Sequence, residues 1–200
     1  MSVNFSQVSF IGGATALSQL PLDHGAEVAF AGRSNAGKSS AINAITGSKS
    51  LARIGKTPGR TREINFFRLE EGLRLVDLPG YGYAKVPKHM RAQWGRLIAD
   101  YLERRTTLRG VITIMDVRRP FTDLDQQLVN WCVGAGLPVH VLLTKCDKLS
   151  RGAAAQAFNK ARRHADKESP DITLQLFSAL KGVGTQQARA QLTAWLVGDG

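Results

Sequence analysis

The chain has 200 residues, of which 43% are hydrophobic, and this composition predicts one domain with a well-buried core and excludes a disordered chain. Lysine and arginine number 27 against 16 acidic residues, so the net charge of +11 favours a polyanionic partner, nucleic acid or an anionic membrane surface, over a merely solubilising surface. The two cysteines exclude a disulfide framework, and the sequence shows neither a basic N-terminal leader nor an apolar run of about 18 residues, so we expect a cytosolic protein without a membrane span.

The first part of the chain contains a phosphate-binding pattern. Residues 1–26 hold scattered apolar residues and are predicted to be a lead-in segment packed on a domain of residues 27–200. An apolar run at 27–31 predicts a strand, and 39–46 has helical spacing that stops at Gly47. Between them, Gly32-Arg33-Ser34-Asn35-Ala36-Gly37-Lys38-Ser39 fits G-x-x-x-x-G-K-[ST] at every fixed position.

A loop of this kind points backbone N–H groups and the positive end of a helix at the phosphates of a nucleotide. Lys38 is expected to reach the β- and γ-phosphates, and the Ser39 hydroxyl to bind Mg²⁺. A glycine-containing turn that matches the pattern by chance is the alternative. The predicted nucleotide contacts here are Gly32, Arg33, Ser34, Asn35, Ala36, Gly37, Lys38, Ser39 and Ser40.

The next segment, 48–62, is predicted to be a mobile loop, because it is basic and has few apolar residues to anchor it. Its cations include Arg53, Lys56, Arg60 and Arg62. Thr61 is placed to give its hydroxyl to Mg²⁺ and its N–H to the γ-phosphate, or else is a solvent-facing residue at the entry of a strand. Contacts that need the third phosphate would make the loop a switch, which presents its cations to an anionic partner in one nucleotide state.

The remaining chain alternates strand and helix patterns. Strands at 63–69 and 73–78, joined by a short turn, predict an antiparallel hairpin. The helix that follows Pro87 is expected to bury Met90, Trp94, Leu97, Ile98, Tyr101 and Leu102. Three strand-and-helix units complete the chain: 111–115 with 122–135, 139–143 with 152–166, and 172–177 with 185–196. This order predicts an α/β fold, a mostly parallel six-stranded sheet with one antiparallel edge strand and helices on both faces.

Residues at the carboxyl ends of the strands are the candidate ligands, since nucleotides bind there in open parallel sheets. In Asp77-Leu78-Pro79-Gly80, the aspartate can hold Mg²⁺ through water, and the glycine N–H can approach a γ-phosphate. In Thr144-Lys145-Cys146-Asp147, the final carboxylate can accept N1–H and the exocyclic amine of guanine, with the lysine stem along the base. In Ser178-Ala179-Leu180, a backbone N–H could donate to guanine O6.

These motifs follow one another in the order expected of a GTPase and lie on the predicted loops, and the chain resembles the translation-factor class of GTPases. Gly55-Lys56-Thr57-Pro58-Gly59-Arg60-Thr61 and Asp77-Leu78-Pro79-Gly80-Tyr81-Gly82-Tyr83-Ala84 resemble the EngB (YihA/YsxC) family, which Thr144 in place of the commoner asparagine also suits. The resemblance implies a three-layer, Ras-like P-loop GTPase fold, a bacterial role in assembly of the large ribosomal subunit, and a link to cell division and septation. It also implies nucleotide contacts from Gly59, Arg60, Thr61, Arg62 and Glu63, with Lys38, Thr61 and Gly80 in catalysis.

The hydrolysis rate is expected to be low, because Tyr81 occupies the position where many small GTPases carry a water-orienting glutamine. Asn35 resembles the asparagine of GTPases that bind K⁺ beside the phosphates, the alternative being a loop-stabilising asparagine. Partners are expected to be the large ribosomal subunit or its precursor and ribosomal RNA, with no membrane, and the chain to be a monomer.

Basic side chains outside the loop divide between two places. Lys160, Arg163 and Lys167 fall on one face of a helix, and Arg118 and Arg119 follow a strand, so all could contact RNA phosphates or simply be solvated. Trp94, Trp131 and Trp195 are predicted to be core residues. A P-loop phosphotransferase, or a module that holds nucleotide without turnover, remains an alternative function.

Overall fold

This computed structural model describes residues 3–52, 63–81 and 88–198, and for 88–94 it describes the backbone without the side chains. Seven strands form one sheet in these residues. The strands are β1 Ser9–Ala14, β2 Ala26–Gly32, β3 Ile64–Glu70, β4 Leu73–Asp77, β5 Leu108–Asp116, β6 Val139–Thr144 and β7 Ile172–Leu176. The α-helices are α1 Lys38–Thr46, α2 Lys88–Arg104, α3 Asp123–Gly134, α4 Arg151–Glu168 and α5 Thr185–Val197.

The strand order is β1-β3-β4-β2-β5-β6-β7, and β3 is antiparallel to both of its neighbours. The pairs β2 with β4, β2 with β5, β5 with β6 and β6 with β7 are parallel, so the predicted α/β class is confirmed. The sheet carries one strand more than the predicted six. That strand, β1, lies outside β3, and the antiparallel strand is therefore second from the edge rather than at it.

Strand β1 was missed because its sequence gives no period-2 signal. Gly12 and Gly13 lie in its middle, Phe10 and Ile11 are 57% and 43% exposed, and the pairing with β3 shifts register between Phe10 and Gly12. Its stability comes from the long-range ladder with β3 rather than from local preference, since Ser9 pairs with Arg68 and Ala14 with Ile64.

Two hydrophobic layers cover the faces of the sheet. Helices α2, α3 and α4 pack on one face, where Tyr101, Leu128 and Ala161 are buried, and α1 and α5 pack on the other, where Ile42 and Leu192 are buried. Of the predicted buried face of α2, Leu97, Ile98, Tyr101 and Leu102 are buried, while the side chains of Met90 and Trp94 lie outside the described residues.

The tryptophan prediction holds only in part. Trp195 is half-buried and its ring meets His140 edge-on with centroids 6.4 Å apart, whereas Trp131 is 42% exposed. The buried residues of α3 are Asp125, Leu128, Val129 and Cys132, and Trp131 is not among them.

The amino end of the sheet holds a buried ion network. Glu27 of β2 is fully buried, and its carboxylate accepts hydrogen bonds from Arg105 (2.9 and 2.6 Å), from the Tyr101 hydroxyl (2.9 Å) and from Arg74. Arg105 also donates to the carbonyls of Pro21 (2.8 Å) and Leu22 (3.4 Å). The network therefore ties the segment before β2 to the end of α2, at the edge of the sheet away from the predicted site.

Candidate nucleotide-binding site

The phosphate loop takes the shape that its glycines permit. Gly37, at φ 104°, precedes α1 and turns the chain into the helix, and Asn35 also has a positive φ of 65°. A Cβ on Gly32 would lie 2.9 Å from both Cβ and the carbonyl oxygen of Ile114, so only glycine allows β5 to pack this closely against the end of β2.

Hydrogen bonds fasten this loop to the ends of two strands. The Ser34 N–H donates to the Tyr81 carbonyl (2.8 Å), and the Tyr81 N–H donates to the Gly32 carbonyl (3.3 Å). From β6, Thr144 Oγ1 lies 2.5 Å from the Ala36 carbonyl oxygen and 3.1 Å from that of Met115. Thr144 thus ties the phosphate loop to β5 and β6, which gives this threonine a physical role in the position usually held by asparagine.

The γ-phosphate side of the site contains an ion pair. The Lys38 ammonium pairs with the Asp77 carboxylate, and both side chains are largely buried. Leu78, Pro79 and Gly80 are buried directly after β4, and the Leu78 N–H donates to the Phe30 carbonyl (2.9 Å). The structure therefore brings the predicted phosphate lysine and the predicted Mg²⁺ aspartate together.

The predicted ligands carry the kind of donor atom that suits a magnesium ion. Ser39, the residue after Lys38, offers a hydroxyl and Asp77 a carboxylate, which are hard oxygen donors, and Mg²⁺ in nucleotide sites takes few protein ligands and completes its shell with water and phosphate oxygens. The third expected ligand, Thr61, lies outside the described residues, as do Gly59, Arg60 and Arg62. Glu63 is exposed just before β3, with its carboxylate against Gly13 of β1.

The predicted guanine side is formed where β6 and β7 end. The Ser178 hydroxyl donates to Asp147 Oδ1 (2.6 Å) and lowers the pKa of Asp147, so the carboxylate is ionised and keeps acceptor capacity for a ligand. The Cys146 N–H donates to the Phe177 carbonyl (3.2 Å), which joins the two strand ends. Ser178 is buried and its own N–H donates to Val183 O, whereas Ala179 is half-buried and Leu180 is 74% exposed.

Lys145 connects the two ends of the site. The residue has a positive φ of 60°, and its ammonium donates to the Asn35 carbonyl (2.7 Å) and lies 3.1 Å from Asp116 Oδ2. The side chain therefore spans from the end of β6 to the phosphate loop.

Sequence reasoning missed Asp116 at the end of β5. Its carboxylate accepts hydrogen bonds from Arg118 Nε (2.9 Å) and Nη2 (2.6 Å), so one of the cations whose sequence position allows RNA contact is engaged within the chain. The hydrogen bonds from Arg118 lower the pKa of Asp116 well below its usual value. A signal existed, because Asp116 ends a strand just as Asp77 does.

Tyr81 belongs to a hydrogen-bond chain that reaches the start of α3. Its hydroxyl donates to Asp125 Oδ1 (2.8 Å), and Asp125 Oδ2 accepts from Thr122 N (2.9 Å) and Oγ1 (2.7 Å) at the start of α3. Burial, together with the Asp125 carboxylate, raises the pKa of Tyr81 well above its usual value, so the phenol stays a neutral donor.

A phosphate loop on a mostly parallel sheet, with Asp77 and Asp147 in motifs at two other strand ends, is the arrangement of a P-loop GTPase. The model of the 50S ribosome-binding GTPase family matches residues 27–145. The probable GTP-binding protein EngB of Nitrosococcus oceani is 53% identical over 196 residues, which cover 98% of either chain, and that of Vibrio parahaemolyticus is 48% identical over 195 residues, which cover 98% of this chain and 89% of the relative. The chain belongs to the EngB family of GTP-binding proteins.

Solved structures agree on the fold. A crystal structure of a probable GTP-binding protein engB matches with a TM-score of 0.68 at 22% identity and covers 86% of this chain and 99% of that one. Era in complex with MgGDPNP and a piece of 16S ribosomal RNA matches with a TM-score of 0.67 at 21% identity, covering 88% of this chain and 58% of that one. Among the described residues, we find no helix with the length and apolar character that crossing a bilayer requires.

Proposed function

We propose that this protein is a Mg²⁺-dependent, slowly hydrolysing GTP switch that acts in assembly of the large ribosomal subunit. One observation carries the guanine part of the proposal. The hydrogen bond from Ser178 lowers the pKa of Asp147, which lies three residues after Thr144, and the Thr144 hydroxyl bonds the phosphate loop, so a short stretch of chain links the proposed base-reading carboxylate to the phosphate cradle.

The guanine assignment is tested by Asp147→Asn. Guanine offers N1–H and an exocyclic amine to a carboxylate, whereas xanthine has a carbonyl in place of that amine and accepts a hydrogen bond from an amide instead. We expect calorimetry to show that the variant loses roughly a hundredfold in GTP affinity and prefers xanthosine triphosphate. A variant that still selects GTP over both ATP and xanthosine triphosphate would overturn the assignment.

The chemistry of hydrolysis is assigned to the γ-phosphate side. Lys38 would move its ammonium from Asp77 to the phosphates, Gly80 would donate its N–H to the γ-phosphate, and Ser39, Asp77 through water, and Thr61 would hold Mg²⁺, which neutralises phosphate charge when bound. The residue after Gly80 is Tyr81, which has no side-chain amide and whose hydroxyl is engaged with Asp125, and this supports slow intrinsic turnover. Single-turnover phosphate release, with Mg²⁺ and with a chelator, tests the metal requirement.

Stimulation by K⁺ is a separate part of the proposal and depends on Asn35. This residue is exposed in the phosphate loop, and its carbonyl is already used by Lys145, so its side-chain oxygen is the group offered to a cation. We expect faster GTP hydrolysis in KCl than in NaCl, and an Asn35→Ala variant with equal rates in both salts. Equal rates for the natural chain would remove the potassium site.

The ribosomal partner is supported by the family and by one helix face. Lys160, Arg163 and Lys167 are exposed on α4 and form no ion pair with another described residue, whereas the neighbouring Arg162 pairs with Asp166 (2.9 Å). Three unneutralised cations over about two turns of helix suit an RNA phosphate backbone. The basic residues of the loop at 53–62, which lies outside the described residues, would add contacts in the GTP state.

Co-sedimentation with purified large ribosomal subunits tests this partner. We expect tighter binding with a non-hydrolysable GTP analogue than with GDP, weakened steeply by salt. Replacing Lys160, Arg163 and Lys167 together by alanine should reduce the slope of log affinity against log salt by about three, while Arg162→Ala serves as the matched control. Binding that is equal in both nucleotide states and insensitive to salt would contradict the proposal.

The cellular role follows from the same assignment. We propose a cytoplasmic monomer whose loss leaves precursors of the large subunit, with the defect in division and septation that the family resemblance implies. Sedimentation of the purified chain tests the monomer, and the ribosome profile of depleted cells tests the assembly role.

A further inference from the structure

Asp116 is a nearly buried carboxylate whose hydrogen-bonding capacity is filled on both oxygens. Oδ1 accepts from the backbone N–H (3.1 Å) and Nε (2.9 Å) of Arg118, and Oδ2 accepts from Arg118 Nη2 (2.6 Å) and lies 3.1 Å from the Lys145 ammonium. Four donors on two oxygens fix the orientation of the carboxylate as well as its position. Arg118 therefore acts as a clamp that aims Asp116 at Lys145.

The clamp restricts the side chain of Lys145. A lysine side chain has four flexible methylene groups and loses much rotamer entropy when it is immobilised. Here its ammonium is held between Asp116 and the Asn35 carbonyl (2.7 Å), so the stem already lies between the end of β6 and the phosphate loop. Asp147, the predicted reader of guanine, follows two residues later.

We propose that Asp116 is a positioning residue for the guanine end of the site, which acts by holding Lys145 in place before the nucleotide arrives. The inference rests on the proposed role of residues 144–147 in binding the base. It assigns no contact between Asp116 and the nucleotide. Its effect is pre-organisation, because a lysine stem that is already ordered need not be ordered on binding.

The position of the clamp predicts which measurements change. The base is common to GTP and GDP, so loss of the clamp should weaken both nucleotides by the same factor. Among the described residues, no side-chain hydrogen bond or ion pair joins Asp116 to Lys38 or Gly80 on the γ-phosphate side. For Asp116→Asn we therefore expect roughly tenfold weaker binding of GTP and of GDP, the size of one charge-assisted hydrogen bond, with a raised KM and an unchanged kcat for hydrolysis.

A double-mutant cycle separates positioning from a general loss of structure. Affinity for GDP is measured for the natural chain, Asp116→Asn, Lys145→Met and the double variant, with Arg119→Ala as the control that removes an adjacent exposed cation. If Asp116 acts through Lys145, its substitution costs nothing further once Lys145 is methionine. An equal loss in both backgrounds, or a loss for GTP that exceeds the loss for GDP, would overturn the proposal.

Two further outcomes are distinguishable. A natural chain that shows no preference for guanine nucleotides would refute the proposed function itself, whereas a natural chain that prefers them and an Asp116→Asn variant with unchanged affinity would refute only the positioning role. Should Asp116→Asn fold poorly, Arg118→Ala retains the carboxylate and removes the clamp, and it is expected to show the same equal weakening of GTP and GDP.

Discussion

The two ends of the sheet both contain ion pairs, and they differ in what the pairs can do. At the amino end, Glu27 is fully buried and its carboxylate is bonded to Arg105, Tyr101 and Arg74. At the carboxyl end, Lys38 pairs with Asp77 and Lys145 with Asp116, and in the proposed site Lys38, Asp77 and Lys145 act on the nucleotide or its Mg²⁺ while Asp116 holds Lys145. The comparison teaches that an ion network far from the phosphate loop can serve the fold alone, whereas the pairs beside the loop hold lysines that the proposed function assigns to the nucleotide.

The largest effect that this comparison predicts is on folding. Glu27→Gln leaves Arg105 buried beside a neutral amide, and breaking a buried pair costs about 3–5 kcal/mol of unfolding free energy. Urea unfolding measures this loss, and Arg104→Ala, which removes only an exposed pair with Asp100 (3.5 Å), should cost almost nothing. A small loss for Glu27→Gln would mean that the amino-end network does not stabilise the fold.

The next effect falls on binding. Lys38→Met should weaken GTP and GDP by roughly a hundredfold, because the phosphates lose a charge-assisted partner, whereas the folded Glu27→Gln chain should keep its affinity for both nucleotides. Fluorescent-nucleotide titration and urea unfolding of the same preparation test the contrast. If the substitution instead destabilised the chain as strongly as Glu27→Gln and left affinity intact, the pair with Asp77 would be structural.

A smaller effect is expected for the bond between Tyr81 and Asp125. Tyr81→Phe removes one hydroxyl that donates to a buried carboxylate and should cost about 2 kcal/mol of stability, with little change in the slow hydrolysis rate, because the phenol points at α3 rather than at the phosphates. Thermal unfolding and single-turnover hydrolysis measure the two quantities. A large fall in hydrolysis rate would show that the tyrosine acts in the chemistry.

The smallest effect concerns pH at the amino end. Burial raises the pKa of Asp23, but hydrogen bonds from Thr107 and Thr106 outweigh it and lower the pKa below the usual value. A lowered folded-state pKa gives stability that is present above the unfolded value of about 4 and is lost as pH falls further. Asp23→Asn should therefore reduce stability at pH 7 and leave a weaker decline between pH 5 and pH 2, as urea unfolding at several pH values would show.

Local patterns in the sequence were sufficient for the elements that carry their own signal. The apolar run before Gly32, the helical spacing of Leu97 and Tyr101, and the strand-end motifs at Asp77 and Asp147 each depend on neighbouring residues, and each lies where it was predicted. By contrast, β1 forms because it pairs with β3, 50 or more residues away, and no local periodicity indicates such a ladder.

What the sequence determined by itself was the class of chemistry, because G-x-x-x-x-G-K-[ST] and the strand-end aspartates are local arrangements of donors, acceptors and backbone freedom. Only the tertiary structure decided which side chains work together. Asp116 and Lys145 lie 29 residues apart and Lys38 and Asp77 lie 39 apart, and they meet because parallel strands end at one edge of the sheet. Which charged side chains meet over such separations depends on the register of the strands. That register is set by packing in the folded core, and no local stretch of sequence shows it.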